Sequence, residues 1–130
     1  MIVLDTSALM AIHRYEVERS AFRVAVMKAA GAILPASAYV EFVLATKARR
    51  SSRAWLDRLI LRRILRVEPI TAVVASAAAD AAEQYGRGRH RAALNFGDCL
   101  SYAVAKQLGA PLLYKGDDFT HTDIESALPA

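Results

Sequence analysis

The stretch that decides the fold is Leu94-Asn95-Phe96-Gly97-Asp98-Cys99-Leu100-Ser101-Tyr102-Ala103-Val104-Ala105, followed closely by Gly109, Pro111 and the apolar run that starts at Leu112. From Leu100 onward, apolar residues recur at the three-and-four spacing of one helical face, and Gly109 suits a helix C-terminal cap. The run after Pro111 has the short, apolar character of a buried strand. A helix that leads directly into such a strand is typical of an α/β fold.

The same alternation of short apolar runs and longer helical segments extends along the whole chain. Strands are predicted at 2–4, 32–35 and 67–70 and after Pro111, and helices at 8–12, 17–30, 38–45, 55–64 and 72–85. Ser37 and Thr71 are expected helix N-caps, and a turn is expected at Ser51 and Ser52. The pattern predicts an α/β/α sandwich with a central, mainly parallel sheet of four to five strands, formed by residues 1–130 as a single domain.

Composition limits the class of protein. With 130 residues, of which 55% are apolar, the chain can bury a core of its own. Its single cysteine, Cys99, excludes an internal disulfide and fits a reducing compartment, so we expect a cytoplasmic protein. The run from Met1 to Leu4 leads straight into an acid, with no basic segment and no apolar stretch of signal-peptide length, so no membrane association is expected.

The cationic residues are mostly arginine. The formal net charge is +4, and thirteen arginines stand against four lysines. Arginine binds phosphate groups in a bidentate manner, so this balance favours a nucleic-acid partner, although a basic surface that serves only solubility is the simpler alternative.

Acidic residues fall where strands and helices meet. Asp5 follows the first strand, which is expected to be central, Asp98 lies in the first turn of its helix, and Asp117 and Asp118 follow the last strand. Glu41 stands alone in a helix that is apolar almost all round, a pattern that predicts a buried helix. Because parallel strands align their ends, these acids are expected to converge at one edge of the sheet. The structural alternatives are that Asp5 and Asp98 only cap helices and that Glu41 reaches solvent.

Carboxylates gathered in this way require a positive charge between them, since they would otherwise repel one another. The histidines are scattered and Cys99 is alone, so the sequence offers no ligand set for zinc. Oxygen ligands favour Mg²⁺ or Mn²⁺, the ions with which metal-dependent nucleases hydrolyse phosphodiesters.

A short basic loop precedes the helix that carries Asp98. It contains Arg87, Arg89, His90 and Arg91, with Gly88 allowing close backbone approach. Its position predicts contacts to substrate phosphates; the alternatives are a solvated surface or pairing with a second subunit.

Together, these motifs resemble the PIN-domain ribonucleases, specifically the VapC toxins of bacterial toxin-antitoxin pairs. The matching segments are Leu4-Asp5-Thr6-Ser7-Ala8-Leu9, the lone Glu41, Asn95-Phe96-Gly97-Asp98 with Ser101-Tyr102-Ala103, and Leu113-Tyr114-Lys115-Gly116-Asp117-Asp118-Phe119. The resemblance covers the whole chain and implies a PIN-like fold and a metal-dependent endoribonuclease.

The resemblance also implies a role for each site residue. Asp5 and Asp98 would bind the metal, and Glu41 would support it. The fourth acid would be Asp118, with Asp117 as the alternative, because the spacing at the end of the chain departs from the usual pattern. Either Thr6 or Ser7 would orient Asp5 or a metal-bound water through its hydroxyl. The implied partners are an RNA substrate, a cognate antitoxin and a second copy of the chain.

Two other classes of protein also fit parts of this sequence. A phosphoaspartyl module or a haloacid-dehalogenase-like phosphatase would use Asp5 as its nucleophile, with Lys115 and the later acids around it; such phosphatases usually carry a second aspartate where this chain has Ser7. A non-enzymatic nucleic-acid-binding domain would explain the arginines, but it gives no reason for Glu41 to lie in an apolar helix.

Overall fold

The strands of the computed structural model, which describes residues 1–128, form one parallel sheet. The strands are β1 (Ile2–Leu4), β2 (Ala32–Pro35), β3 (Arg66–Glu68) and β4 (Leu112–Leu113). They lie in the order β3-β2-β1-β4, and Val3 of β1 pairs with Ile33 on one side and Leu112 on the other. β1 is therefore central, and its C-terminal end lies between those of β2 and β4.

Helices cover both faces of the sheet. They are α1 (Thr6–His13), α2 (Arg19–Lys28), α3 (Ala36–Ala45), α4 (Arg50–Leu61), α5 (Ala72–Tyr85) and α6 (Phe96–Leu108), and a 3₁₀ turn follows at Asp118–His121. Side chains of a strand alternate between faces: Val3 and Ile33 pack with α5 and α6, whereas Leu4 and Leu34 pack with α1 to α4. The predicted α/β/α sandwich is confirmed, with four strands among the described residues.

The helix that carries Asp98 forms as predicted and begins at Phe96. Asn95 is its N-cap and accepts a hydrogen bond from the Asp98 amide at 2.8 Å. Gly109 ends it in the left-handed conformation, at φ 62°, where a residue without Cβ carries no steric cost. Cys99 is a buried free thiol.

Helix α3 differs from its prediction in two respects. Ser37 is not its N-cap: the helix starts at Ala36, immediately after β2, and the cap position is Pro35, which has no side-chain donor or acceptor. Nor is α3 buried all round, since Val40 and Leu44 are 56% and 71% exposed. The helix packs through Ala38 and Phe42 on one side only, which leaves the opposite apolar side chains in solvent.

Two boundaries were also misplaced. Ser51 and Ser52 lie inside α4 and not in a turn, because the chain already reverses at Lys47 and Ala48, both at φ 55°. β3 spans Arg66–Glu68 and not 67–70, since Pro69 cannot donate to a strand ladder, and it lies at the edge of the sheet. Within residues 1–128, no helix combines the length and apolar character that crossing a membrane requires.

Candidate acidic site

Asp5 lies at the junction of β1 and α1 and is 5% exposed. Its Oδ2 accepts hydrogen bonds from the amide of Ser7 at 3.1 Å and from the Ser7 hydroxyl at 2.6 Å. Asp5 is therefore the N-cap of α1, which is the capping role considered for it in the sequence analysis. Because both bonds go to Oδ2, the other carboxylate oxygen is left for a ligand.

The hydroxyl of Ser7 connects Asp5 to the segment after β4. It donates to Asp5 and accepts a hydrogen bond from the Lys115 amide at 3.0 Å. The Lys115 ammonium in turn lies 3.2 Å from Glu16 and 3.3 Å from Glu18, in the connection between α1 and α2. The end of β1 and the end of β4 are thus tied together by one short network.

Glu41 projects from α3 toward this junction and is half-buried. The Thr6 hydroxyl donates to its Oε1 at 2.9 Å. Burial raises the pKa of Glu41, the Thr6 hydrogen bond lowers it, and the Asp5 charge raises it further. Of the two hydroxyls expected to orient Asp5, Ser7 contacts Asp5 and Thr6 contacts Glu41 instead.

Asp98 is the third residue of α6 and is partly buried. Its Oδ2 accepts a hydrogen bond from the Asn95 amide at 3.1 Å, which completes a reciprocal capping box. The pKa of Asp98 is raised to about 6, first by burial and then by the charges of Asp5, Asp118 and Glu41, against a lowering by the Asn95 amide. The capping hydrogen bond alone would lower this pKa; burial outweighs it, and the charges of the other acids add to the rise.

Asp117 and Asp118 occupy different positions at the end of the chain. Asp118 begins the 3₁₀ turn, and its charge contributes to the raised pKa of Asp98. Asp117 precedes the turn, and its carbonyl accepts hydrogen bonds from the amide and hydroxyl of Thr120. Asp118 is therefore the acid that shares the field of Asp98, and Asp117 shapes the turn.

The donor set fits a hard divalent cation. Carboxylate oxygens are the available ligands, and a cation would relieve the repulsion that adds to the raised pKa values of Glu41 and Asp98. Among residues 1–128, no group of three His, Cys, Asp or Glu side chains forms a ready-made metal cage.

The basic loop is attached to the start of α6. The Arg87 amide donates to the Leu94 carbonyl at 3.3 Å, and the Leu94 amide donates to the Tyr85 carbonyl at 3.0 Å. His90 is half-buried: its Nδ1 accepts from the Ala92 amide at 3.0 Å. Its ring holds the loop together, whereas the side chains of the three loop arginines are exposed.

One close contact of the site was missed by the sequence interpretation. Gly97 is buried, and the Glu41 carboxylate lies in the space that a Cβ on Gly97 would fill. Glu41 and Gly97 are far apart in sequence and carry no shared motif, so only tertiary packing brings them together.

Comparison with known proteins agrees with this architecture. The family model described as PIN domain matches residues 2–125. The chain is 42% identical to Ribonuclease VapC30 of Mycobacterium tuberculosis over 135 residues, covering 98% of this chain and 100% of that protein. It is 44% identical to Ribonuclease VapC28 of the same species over 131 residues, covering 98% of each chain.

Solved structures show the same fold at low sequence identity. Mycobacterium tuberculosis VapC20, described as a sarcin-ricin loop cleaving toxin, superposes with a TM-score of 0.78 at 19% identity over 99% of this chain and 100% of that one. A chain of a toxin-antitoxin complex from Klebsiella pneumoniae gives a TM-score of 0.71 at 14% identity, covering 95% of the present chain and 93% of that chain.

The present chain belongs to the PIN-domain family. Within that family it belongs with the VapC ribonucleases, which sets aside the phosphoaspartyl and non-enzymatic alternatives.

Proposed function

We propose that this chain is a Mg²⁺-dependent endoribonuclease that acts as the toxin of a toxin-antitoxin pair. Membership in the VapC ribonucleases supports the nuclease and toxin roles. The observation that carries the metal dependence is the placement of Glu41: its carboxylate lies against Gly97, next to Asp98, and accepts a hydrogen bond from Thr6, next to Asp5. Burial and the charges of Asp5, Asp118 and Glu41 raise the pKa of Asp98 to about 6, which agrees with this placement. A bound cation would offset the repulsion that the charges of Asp5, Asp118 and Glu41 add at Asp98.

In this proposal, Asp5 and Asp98 hold the cation, Glu41 supports it and Asp118 completes the acidic field; Mn²⁺ would serve in place of Mg²⁺. When bound, the ion supplies a polarised phosphate and an activated water for phosphodiester hydrolysis. The protein fixes the carboxylates beforehand: Ser7 donates to Asp5, Thr6 donates to Glu41, and the Asn95 amide donates to Asp98. Fixed ligands lose little entropy when the reacting groups assemble.

The direct test uses purified chain freed of any partner, with structured and single-stranded RNA. We expect cleavage in Mg²⁺ or Mn²⁺ and none in excess EDTA, with recovery when the ion is restored. The Asp5→Asn variant keeps its shape and loses a ligand charge, so its turnover should fall about 100-fold or more. Cleavage that persists in EDTA would contradict the metal dependence, and an unaffected Asp5→Asn variant would remove Asp5 from the site.

The proposed partners are an RNA substrate, a cognate antitoxin and a second copy of the chain. The solved toxin-antitoxin complex with the same fold supports an antitoxin partner. We expect co-expression of an adjacent small gene to relieve growth arrest, and the two proteins to co-purify. Light scattering of the free chain tests the homodimer. We also propose a cytoplasmic location, where an RNA substrate is available and where a chain with one buried thiol, Cys99, needs no disulfide.

A further inference from the structure

Gly97 is the second residue of α6 and one position before Asp98. Of the amino acids, only proline is a poorer helix former than glycine. The backbone conformation at Gly97 does not require glycine either, because positive φ angles occur at Gly88, Gly109 and Gly116 but not at Gly97. A reason for the missing side chain must therefore lie in what surrounds it.

The surrounding group is the carboxylate of Glu41. A Cβ built on Gly97 would lie 2.5 Å from Cδ and 2.7 Å from Oε1 of Glu41, and closer still to Oε2. These contacts are shorter than any that Cβ atoms make in folded proteins. Because the obstacle is the end of a flexible side chain and not backbone, an alanine at this position would displace Glu41 and leave the helix in place.

On its other side, the same carboxylate is held by the Thr6 hydroxyl, which donates to Oε1 at 2.9 Å. Glu41 therefore lies in a slot between the first residue of α1 and the first turn of α6. The slot brings its charge into the field of both Asp5 and Asp98.

We propose that Gly97 is a positioning residue of the acidic site: its missing Cβ leaves the space in which the Glu41 carboxylate is held beside Asp98. This rests on the proposed metal-dependent nuclease function, in which Glu41 supports the ion. Gly97 itself contacts neither substrate nor metal and acts only through Glu41.

The test is a double-mutant cycle of Gly97→Ala and Glu41→Ala, read out by single-turnover RNA cleavage and by the Mn²⁺ concentration that gives half-maximal activity. Glu41→Ala should lower activity about 10- to 100-fold, and Gly97→Ala should lower it about 10-fold or more with a raised Mn²⁺ requirement. In the Glu41→Ala background, Gly97→Ala should change activity less than about 2-fold, because the displaced group is gone.

The melting temperature provides an independent readout of the same cycle. With Glu41 removed, Gly97→Ala should raise the melting temperature, since alanine favours the helix and meets no obstacle. In the wild-type background, this gain should be reduced or reversed. Glu41→Asp, which withdraws the carboxylate by one methylene, should also shrink the effect of Gly97→Ala on activity.

Two other glycines serve as controls. A Cβ on Gly31 would meet nothing within 4 Å, so Gly31→Ala should leave cleavage and its metal requirement unchanged. A Cβ on Gly86 would meet the Ala82 carbonyl oxygen, so Gly86→Ala should lower the melting temperature equally with and without Glu41.

The cycle separates failure of this inference from failure of the proposed function. If wild-type chain cleaves RNA with Mn²⁺ and the two substitutions act additively, Gly97 has a structural role of its own and the inference is overturned. If Glu41→Ala has full activity, Glu41 needs no positioning and the inference is overturned as well. Absence of metal-dependent cleavage by wild-type chain overturns the function on which the inference rests.

Discussion

At the scale of single residues, the same carboxylates cap helices and form the acidic site. Asp5 caps α1 through the Ser7 amide, and Asp98 completes a capping box with Asn95. Capping and ligand roles are compatible because a helix N-terminus positions a carboxylate at a fixed point and stabilises its charge. The remaining cost is the burial of these charges, to which repulsion between neighbouring acids adds.

The cost of burying the charge of Asp98 beside other acids is measurable without metal. Its folded pKa of about 6 lies above the ordinary value of 3.8, so the folded state binds the proton more tightly than the unfolded chain does. Stability is therefore lost as pH rises through about 6, and Asp98→Asn removes this loss. In EDTA, we expect the variant to melt above the wild type at about pH 7.5, with the difference shrinking toward pH 4.

Thermal melts of both proteins across this pH range provide the check, and RNA cleavage by Asp98→Asn should fall about 100-fold or more. Asp80→Asn, on the exposed side of α5, removes one carboxylate charge away from the acidic site and is the control; it should leave RNA cleavage unchanged. A variant that melts below the wild type at every pH would assign Asp98 to capping alone.

At the scale of elements, α1 and α4 meet around His13. Its Nε2 lies 3.0 Å from the Ser52 hydroxyl, and its ring packs against Trp55 at a centroid distance of 4.7 Å. Burial is the main cause that lowers the pKa of His13, and the nearby charges of Arg14 and Arg49 lower it further. The neutral ring is therefore the form that joins the two helices.

A histidine with a lowered folded pKa adds stability that is present above the unfolded pKa of about 6.5 and is lost as pH falls below it. We expect His13→Gln to lower the melting temperature clearly at about pH 7.5 and by a smaller amount at about pH 5. Paired melts at the two pH values measure this. A difference that grows in acid would show that charged His13 is the stabilising form.

The basic loop between α5 and α6 is the element for which we predict substrate contacts. Its arginines are exposed, and the loop is fastened by hydrogen bonds to Leu94, one residue before the N-cap of α6. Replacing Arg89 and Arg91 by alanine should raise KM and leave the metal requirement unchanged. The salt dependence of RNA binding should flatten by roughly one unit of log-log slope for each phosphate group that the variant no longer binds.

The control for the loop variant is a double variant on α2, Arg23→Ala with Lys28→Ala, which also removes two positive charges but at a different place on the surface. An unchanged salt slope in the loop variant would remove the loop from the substrate site. A loop variant that loses self-association instead would assign these arginines to a subunit interface.

At the scale of the whole molecule, the acidic site draws on elements from both ends of the chain. The ends of β1 and β4 are joined through Ser7 and the Lys115 amide, and α3 and α6 approach each other where Glu41 meets Gly97. An ion bound among these elements would therefore stabilise the fold as a unit.

We expect Mn²⁺ to raise the melting temperature of the wild type in proportion to the logarithm of its concentration once the site is filled, because the ion binds the folded chain. Asp5→Asn should abolish most of this shift while remaining folded. Calorimetric or fluorescence melts over a Mn²⁺ series give the measurement, with Ca²⁺ as a comparison ion. An equal shift in Asp5→Asn would place the bound ion elsewhere on the molecule.

The sequence by itself determined the layered α/β architecture, the central position of β1 and the acids that occupy element ends. Hydrophobic spacing and helix-terminal residues are local properties, so Asp5, Asp98 and the cap at Gly109 could be found without tertiary information. Local sequence patterns wrongly predicted Ser37 as the N-cap of α3 and wrongly predicted that α3 is buried on all sides. Tertiary packing, more than intrinsic preference, decides where a helix starts and which of its sides is buried.

Only the tertiary structure decided which side chains share the site. It paired Thr6 with Glu41 and Ser7 with Asp5, although both hydroxyls are equally suitable in sequence. It brought the charge of Asp118 to Asp98, and it placed the Glu41 carboxylate in the space left open by Gly97. Such contacts depend on the distances and directions between elements that are remote in sequence, which residue type and spacing do not encode.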